Sequence, residues 1–272
     1  MLQLICEKDQ TLKQFTDENC AQASFCWSHL LKRKDIKVND KRVGKSVYLS
    51  KGDVVCYFLS QKQLEMPAYY PVYEDENIII VDKESGVNAE AVFAELSRKT
   101  GGRCAFIHRL DRNTQGLMAF AKNADTEKRL LSAFKQRRVE KIYHALCFGS
   151  FAKQEETLTA YLQKEEEKLR VKIFDTPATN TEKIVTAYKV LEEKDGVSKV
   201  EVTLHTGKTH QIRAHLAHIG HPIVGDMKYG DAEKNHELNA SRQRLIAKYL
   251  SFTFTGSLAY LNDKKFHSRF HF

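Results

Sequence analysis

The densest group of reactive side chains lies in His108-Arg109-Leu110-Asp111-Arg112-Asn113-Thr114-Gln115-Gly116-Leu117, where one carboxylate stands among a histidine and two arginines. Neighbouring cations favour the ionised form, so Asp111 is suited to act as a nucleophile or base and not as a general acid. The competing reading is a plain loop salt bridge. A glycosidase would want a second carboxylate with a raised pKa, and no other acid has comparable company. Further along, Leu204-His205-Thr206-Gly207-Lys208-Thr209-His210-Gln211-Ile212-Arg213-Ala214-His215-Leu216 runs from a strand into a helix start. Arg213 sits beside the apolar stripe Ile212, Leu216 and Ile219. Its charge therefore needs a partner, and an ionised aspartate from another segment is the natural one.

Five histidines between 205 and 221 invite a metal reading, yet no Cys, Asp or Glu lies among them and the next acid is Asp226. No metal site is expected. Gly44-Lys45-Ser46 and Gly207-Lys208-Thr209 look like phosphate-loop endings, but Asn39 and Val202 stand where the upstream glycine must be. With no G-x-G-x-x-G and no G-x-S-x-G either, nucleotide-dependent and serine-hydrolase chemistry lose their support. A third segment, Arg137-Arg138-Val139-Glu140-Lys141-Ile142-Tyr143-His144-Ala145, closes a basic helix and opens a strand. Residues 103–144 carry ten Lys/Arg against four acids, which fits a phosphate-binding face.

The elements that must hold these residues follow from periodicity. Strands are expected at Ile78–Asp82, Gly116–Lys122, Lys141–Phe148, Ile184–Leu191 and Val197–Leu204, the last placing Val200, Val202 and Leu204 on one face. A helix over Ala124–Arg138, opened by Asn123, should turn Leu130, Leu131 and Phe134 inward. Another over His210–Ile219 takes Thr209 as cap and stops at Gly220 and Pro222. Without regular strand–helix alternation the class is α+β, with a mixed, mainly antiparallel sheet flanked by helices. Residues 1–60 form a separate small α+β unit: helices near Leu12–Phe15 and Ala21–Leu31, then short strands Ile36–Val38 and Val54–Phe58 around turns at Asn39-Asp40 and Lys51-Gly52-Asp53. Residues 61–67 read as a polar linker, and 68–272 as the second domain.

The 272 residues carry 43 Lys+Arg against 35 Asp+Glu, a net +8 that leans towards a polyanionic partner. The strongest apolar run, Ile78-Ile79-Ile80-Val81, is too short to span a membrane, and Met1–Lys8 meets charges too early for a secretory signal. Six cysteines without a C-x-x-C pair are expected as free thiols in a reducing cytoplasm. Between Lys32 and Lys45 seven Lys/Arg face two Asp. Alone, that run would be a solvated surface.

Taken together, His108–Lys122, Lys141–Ala145 and Leu204–Gly230 resemble, in order and spacing, the RluA family of RNA pseudouridine synthases. Residues 1–60, with Ile36-Lys37-Val38-Asn39-Asp40-Lys41 and Lys51-Gly52-Asp53, resemble the αL-type RNA-binding module of a small-subunit ribosomal protein. The resemblance implies a pseudouridine synthase fold and the isomerisation of uridine in structured RNA, ribosomal or transfer, by a monomer without cofactor, metal or nucleotide. It implies Asp111 as the catalytic aspartate, attacking either sugar or base. Tyr143 would stack on the flipped base and Arg213 would pair with Asp111. Arg109 would fill the vacated stack. His108, Arg112, Lys141, His210 and Gln211 would contact RNA, as would Lys32, Arg33, Lys34, Lys41 and Arg42 of the N-terminal unit.

Departures from the family pattern fall beside these residues. Lys83-Glu84-Ser85-Gly86 stands where K-P-x-G is common, which should loosen that loop, and Gln115 replaces a serine. Leu245-Ile246-Ala247 replaces L-H-A, and the usual proline after Phe252 is missing. The alternative is a non-catalytic RNA-binding protein derived from such a synthase, whose mark would be the loss of Asp111, Tyr143 or Arg213; all three are present.

Overall fold

A computed structural model describes residues 1–272 except Met66, Glu166 and Lys168, and except the side chain of Lys62. At the N-terminus, Leu2–Ile5, Val54–Tyr57, Ile36–Val38 and Lys41–Arg42 pair in that order as an antiparallel sheet. Three helices, Leu12–Asn19, Ala21–Phe25 and Trp27–Arg33, close a core of Leu12, Phe15, Trp27, Leu30, Ile36, Leu49, Val55 and Tyr57. The helix expected over 21–31 divides at Cys26, which caps one helix and starts the next. The turn Asn39-Asp40 has both residues at positive φ, the geometry a two-residue hairpin needs. Asn39 ties that turn to the distant Gly52-Asp53. It donates to Asp53 Oδ1 at 2.7 Å and accepts from the Val54 N–H at 2.9 Å. Within the stretch expected as a linker, Gln61–Glu65 is helical, while Met66 lies outside the described residues.

The rest of the described chain builds an eleven-stranded sheet. Its path runs from Arg170–Phe174 through Glu155–Glu165, Glu182–Lys194, Val197–Leu204, Val139–Phe148, Leu245–Phe252, Gln115–Ala121 and Ile78–Lys83 to Tyr69–Glu74, and off this path Lys265–His267 pairs with Leu245–Phe252 and Ala105–Phe106 with Gln115–Ala121. Among the described residues the one parallel pairing joins Gln115–Ala121 to Leu245–Phe252. The sheet is mixed and mainly antiparallel, and the class is α+β. Both faces are covered at the centre. Ile79 and Val81 enter one core with Met118, Phe120, Val202 and Leu216, while Ile78 and Ile80 enter another with Leu117, Leu250 and Phe252. Period-two alternation sends neighbours to opposite faces, so the unbroken run Ile78–Val81 is the signature of a strand buried on both sides.

Two expected details differ. The helix after Asn123 spans Ala124–Lys135 and ends before Arg137 turns to φ +58°. Its buried stripe is Thr126, Leu130 and Ala133, so Leu131, about 100° round the helix from Leu130, is 44% exposed instead of inward. The helix near the second site segment is Gln211–His218, capped not by Thr209 but by His210 in the left-handed conformation. No helix among the described residues is long and apolar enough to cross a membrane.

Candidate active site

Asp111 sits in the loop leading from Ala105–Phe106 into the central strand Gln115–Ala121. Leu110 anchors the loop in the core, and Thr114 closes it by donating its N–H to the Asp111 carbonyl at 3.0 Å. Beyond it, Gly116 has φ +115°, and a Cβ there would lie 2.3 Å from the Ala247 carbonyl oxygen. Only glycine lets the two parallel strands approach this closely, and this approach fixes where the Asp111 loop leaves the sheet.

The Gln211–His218 helix supplies Arg213 to the same place. Arg213 Nη1 donates to Asp111 Oδ2 at 2.7 Å, while Nε and Nη2 grip Asp226 Oδ2 and Oδ1 at 2.7 and 3.0 Å. One planar guanidinium thus bridges two carboxylates, its fixed fork giving Asp226 a two-point grip that an ammonium does not offer in the same geometry. Burial opposes the charge on Arg213, but Asp226 and Asp111 outweigh it and hold its pKa above the usual value. Asp226 is fully buried. Burial would raise its pKa, yet Arg213 and the Lys228 and Tyr229 N–H groups hold it below the usual range.

Tyr143 comes from Val139–Phe148, at the point where pairing with Leu245–Phe252 shifts register between Ile142 and Tyr143. Such an irregularity re-aims a side chain. Burial, then the Asp111 charge, push the Tyr143 phenol well above its ordinary pKa, so at neutral pH it offers a ring face and an O–H, not a phenolate. Asp111, Tyr143 and Arg213 line a cleft of about 410 Å³ together with His108, Lys141 and His210. Cationic and aromatic walls around one carboxylate suit a flipped base and its phosphates.

The remaining expected residues divide by their surroundings. Arg109 is exposed at the cleft rim, paired with Glu90 at 2.8 Å, and Arg112 is exposed on the Asp111 loop. Lys141 reaches over the Phe134 ring. Two residues expected to touch RNA line the cleft and are also bonded into its frame. Gln211 is buried, donating to Val185 O and Thr186 Oγ1 and accepting from Thr206 Oγ1 and Lys208 N–H. His108 accepts the Ala119 N–H on Nε2 at 3.0 Å and stacks on Phe134. Lys32, Arg33, Lys34, Lys41 and Arg42 are all exposed on the N-terminal unit. Arg33 and Arg42 share Asp35, and Arg42 lies over Phe58.

Residues to which the sequence assigned no role in the chemistry support the Asp111 loop. Lys83 is fully buried, and its Nζ donates to the carbonyls of Glu84, Val87 and Arg112. Ser85 Oγ donates to Asn113 O, Gly86 N to Arg112 O, and Gln115 Nε2 to Glu84 Oε2. The loop expected to be loose for want of proline is therefore bonded throughout to the Asp111 loop, and the unusual Gln115 meets the unusual Glu84.

Burial keeps two histidines here neutral. His108 is pushed down to about 3 and His215, bonded to Thr186, to about 4. Both take up a proton in the unfolded chain below about pH 6.5 but not in the folded one, so the unfolded state binds more protons and stability decreases as pH falls. Asp82, raised by burial to about 6, works in the opposite sense. His215→Gln removes one of the two destabilising contributions. Urea unfolding at pH 7 and pH 4.5 should show the variant losing less stability than the wild type, by about 2 kcal/mol over that interval. Parallel losses would contradict a neutral folded His215.

Residues 64–218 match the family model described as RNA pseudouridylate synthase. An uncharacterised RNA pseudouridine synthase of Chlorobaculum parvum is 34% identical over 59% of this chain and 55% of its own length. The chain thus spans just over half of that relative. A ribosomal large subunit pseudouridine synthase C of Rickettsia felis is 31% identical over 75% of each chain. A tRNA pseudouridine synthase C of Vibrio parahaemolyticus is 31% identical over 66% of this chain and 83% of its own. Among solved structures, human RNA pseudouridylate synthase domain containing 1 superposes with a TM-score of 0.61 at 30% identity, covering 68% of this chain and 78% of that one.

Proposed function

Because the chain belongs to the RNA pseudouridylate synthase family, of the RluA type, we propose that it isomerises uridine to pseudouridine in structured RNA with Asp111 as the attacking group. The observation that carries this reading is the bridge Asp111–Arg213–Asp226 opening into a cleft whose wall is Tyr143. Isomerisation breaks the bond between the sugar C1′ and base N1 and forms one between C1′ and base C5. The proton leaves C5 and one is gained at N1, so no outside reagent is consumed. Among the described residues Asp111 is the one cleft carboxylate free on an edge, since Arg213 occupies only Oδ2. Tyr143 supports the extruded ring by stacking, and Lys141, Arg109 and Arg112 supply charge for the strand. Asp226 keeps Arg213 turned towards Asp111 and is a positioning residue.

The substrate we infer is ribosomal RNA, as for the Rickettsia relative, with transfer RNA favoured by the Vibrio one. Incubating unmodified ribosomal and transfer RNA with the purified chain and quantifying pseudouridine among released nucleosides decides between them. Product in one pool names the class. Binding to both without product would replace the reading with the non-catalytic alternative.

The N-terminal unit, residues 1–60, is proposed as an RNA-binding module acting through its exposed cations. Replacing Lys32, Arg33, Lys41 and Arg42 by glutamine should flatten the dependence of RNA affinity on salt by about 0.7 to 0.9 in log–log slope for each phosphate no longer neutralised. An unchanged slope would make that run a solvated surface only.

A further inference from the structure

His210 stands at a strained position. Its φ of 55° and ψ of 16° put a residue other than glycine in the left-handed region, at the cap of the helix that carries Arg213. Its side chain does not cap that helix. It is held from one side instead: Nδ1 lies 2.9 Å from the Tyr229 hydroxyl, whose oxygen accepts the Val171 N–H at 2.8 Å. The other ring nitrogen, Nε2, faces Asp111 Oδ2 at 3.9 Å across the cleft mouth. A strained residue persists where its surroundings over-determine it, and such residues gather at functional sites.

The tautomer follows from these contacts. One lone pair of the Tyr229 oxygen is taken by Val171, and its proton is directed to Nδ1. Nε2 then carries the hydrogen, and of the two neutral tautomers this is the one that does not aim a lone pair at the Asp111 carboxylate. Asp111, Asp226, Arg213 and Lys228 all face the ring. Burial, with Arg213 and Lys228, outweighs the two carboxylates and holds its pKa below 6.5. His210 is therefore a neutral N–H donor beside the attacking group.

Breaking the C1′–N1 bond leaves an electron pair on the base, spread over N1 and the two carbonyl oxygens, until the C1′–C5 bond forms. The geometry points to His210 as a further catalytic residue: its Nε2–H donates to a carbonyl oxygen of the detached uracil, with Tyr229 as the positioning residue that fixes the tautomer. A neutral imidazole N–H is too weak an acid to be lost to that anion, so it stabilises the detached base without protonating it. A fixed donor aimed at developing charge acts mainly in the transition state.

This inference rests on the proposed isomerisation, and its test separates the two. His210→Ala, His210→Gln and Tyr229→Phe are compared with wild type in single-turnover pseudouridine formation, RNA affinity and thermal unfolding. His210→Ala should slow turnover about 100-fold while RNA affinity stays within about threefold. The glutamine amide can present an N–H at similar reach, so His210→Gln should recover about tenfold of that loss. Tyr229→Phe should slow turnover about fivefold to tenfold. Turnover by His210→Ala within threefold of wild type, or equal losses of rate and affinity, would overturn the assignment. Imidazole nitrogen NMR of the wild-type chain at pH 7 reads the tautomer without any turnover. A neutral Nε2–H form is expected, and an Nδ1–H or doubly protonated ring would overturn the inference. Absence of pseudouridine with wild type would overturn the proposed isomerisation instead.

Discussion

Asp111→Asn is expected to abolish pseudouridine formation, by at least about 10⁴-fold in the single-turnover rate, while leaving fold and RNA affinity in place. The asparagine carbonyl can still accept from Arg213 Nη1, and Asp226 still balances the buried guanidinium through its two-point grip. The substitution therefore leaves no buried charge unpaired, which is what makes a stable, inactive chain the expected product. What it removes is the negative charge on the free carboxylate edge facing the cleft. Stopped chemistry with unfolding unchanged within about 1 kcal/mol would assign attack to this side chain. Loss of rate accompanied by unfolding would mean that Asp111 holds the loop instead.

Asp226→Asn should cost stability as well as rate. The carboxylate accepts from Arg213 Nε and Nη2 and from the Lys228 and Tyr229 N–H groups, all in a buried place. An asparagine has one acceptor oxygen for that set and turns an amide donor against donors. Breaking a buried ion pair from one side costs about 3 to 5 kcal/mol. Without that two-point grip the guanidinium is no longer held in register with Asp111, so turnover should fall about 100-fold. Urea unfolding together with the single-turnover rate reads both effects. Full stability would show that Arg213 needs only Asp111.

The pairing of Asp111 with Arg213 was legible because a guanidinium beside an apolar helical stripe demands an anion, and a carboxylate among cations supplies one. Asp226 was visible only as an acid following the histidines. Its link to Arg213 depends on a tight path through Gly225, where φ is +75° and a Cβ would lie 1.9 Å from the Arg242 carbonyl oxygen. Nothing in local spacing announces that approach. Lys83 was hidden for another reason. In the sequence it stands only as the first residue of a loop without its usual proline, whereas its long stem carries the ammonium to three backbone carbonyls.

The same contrast runs through the fold. The central strands announced themselves because Ile78–Val81 and Val197–Leu204 carry β-branched residues at the right period. The edge strand Arg170–Phe174 and its neighbour Glu155–Glu165 did not. Their exposed positions are charged or threonine-rich, and their apolar face rests on the distant Ala214 of the Arg213 helix. The resemblance implied an RNA contact for Gln211 but not the bonds that hold it in place. Its four hydrogen bonds to the Val185–Thr186 strand and the Thr206–Lys208 turn exist only in three dimensions.

The most direct test of the central claim is pseudouridine mapping at nucleotide resolution on unmodified ribosomal and transfer RNA, after wild type and after Asp111→Asn. New pseudouridine at defined uridines with wild type alone is the expected result, and it names the substrate at the same time. The same sites appearing with Asp111→Asn would contradict attack by Asp111, and no new site with wild type would contradict the isomerisation.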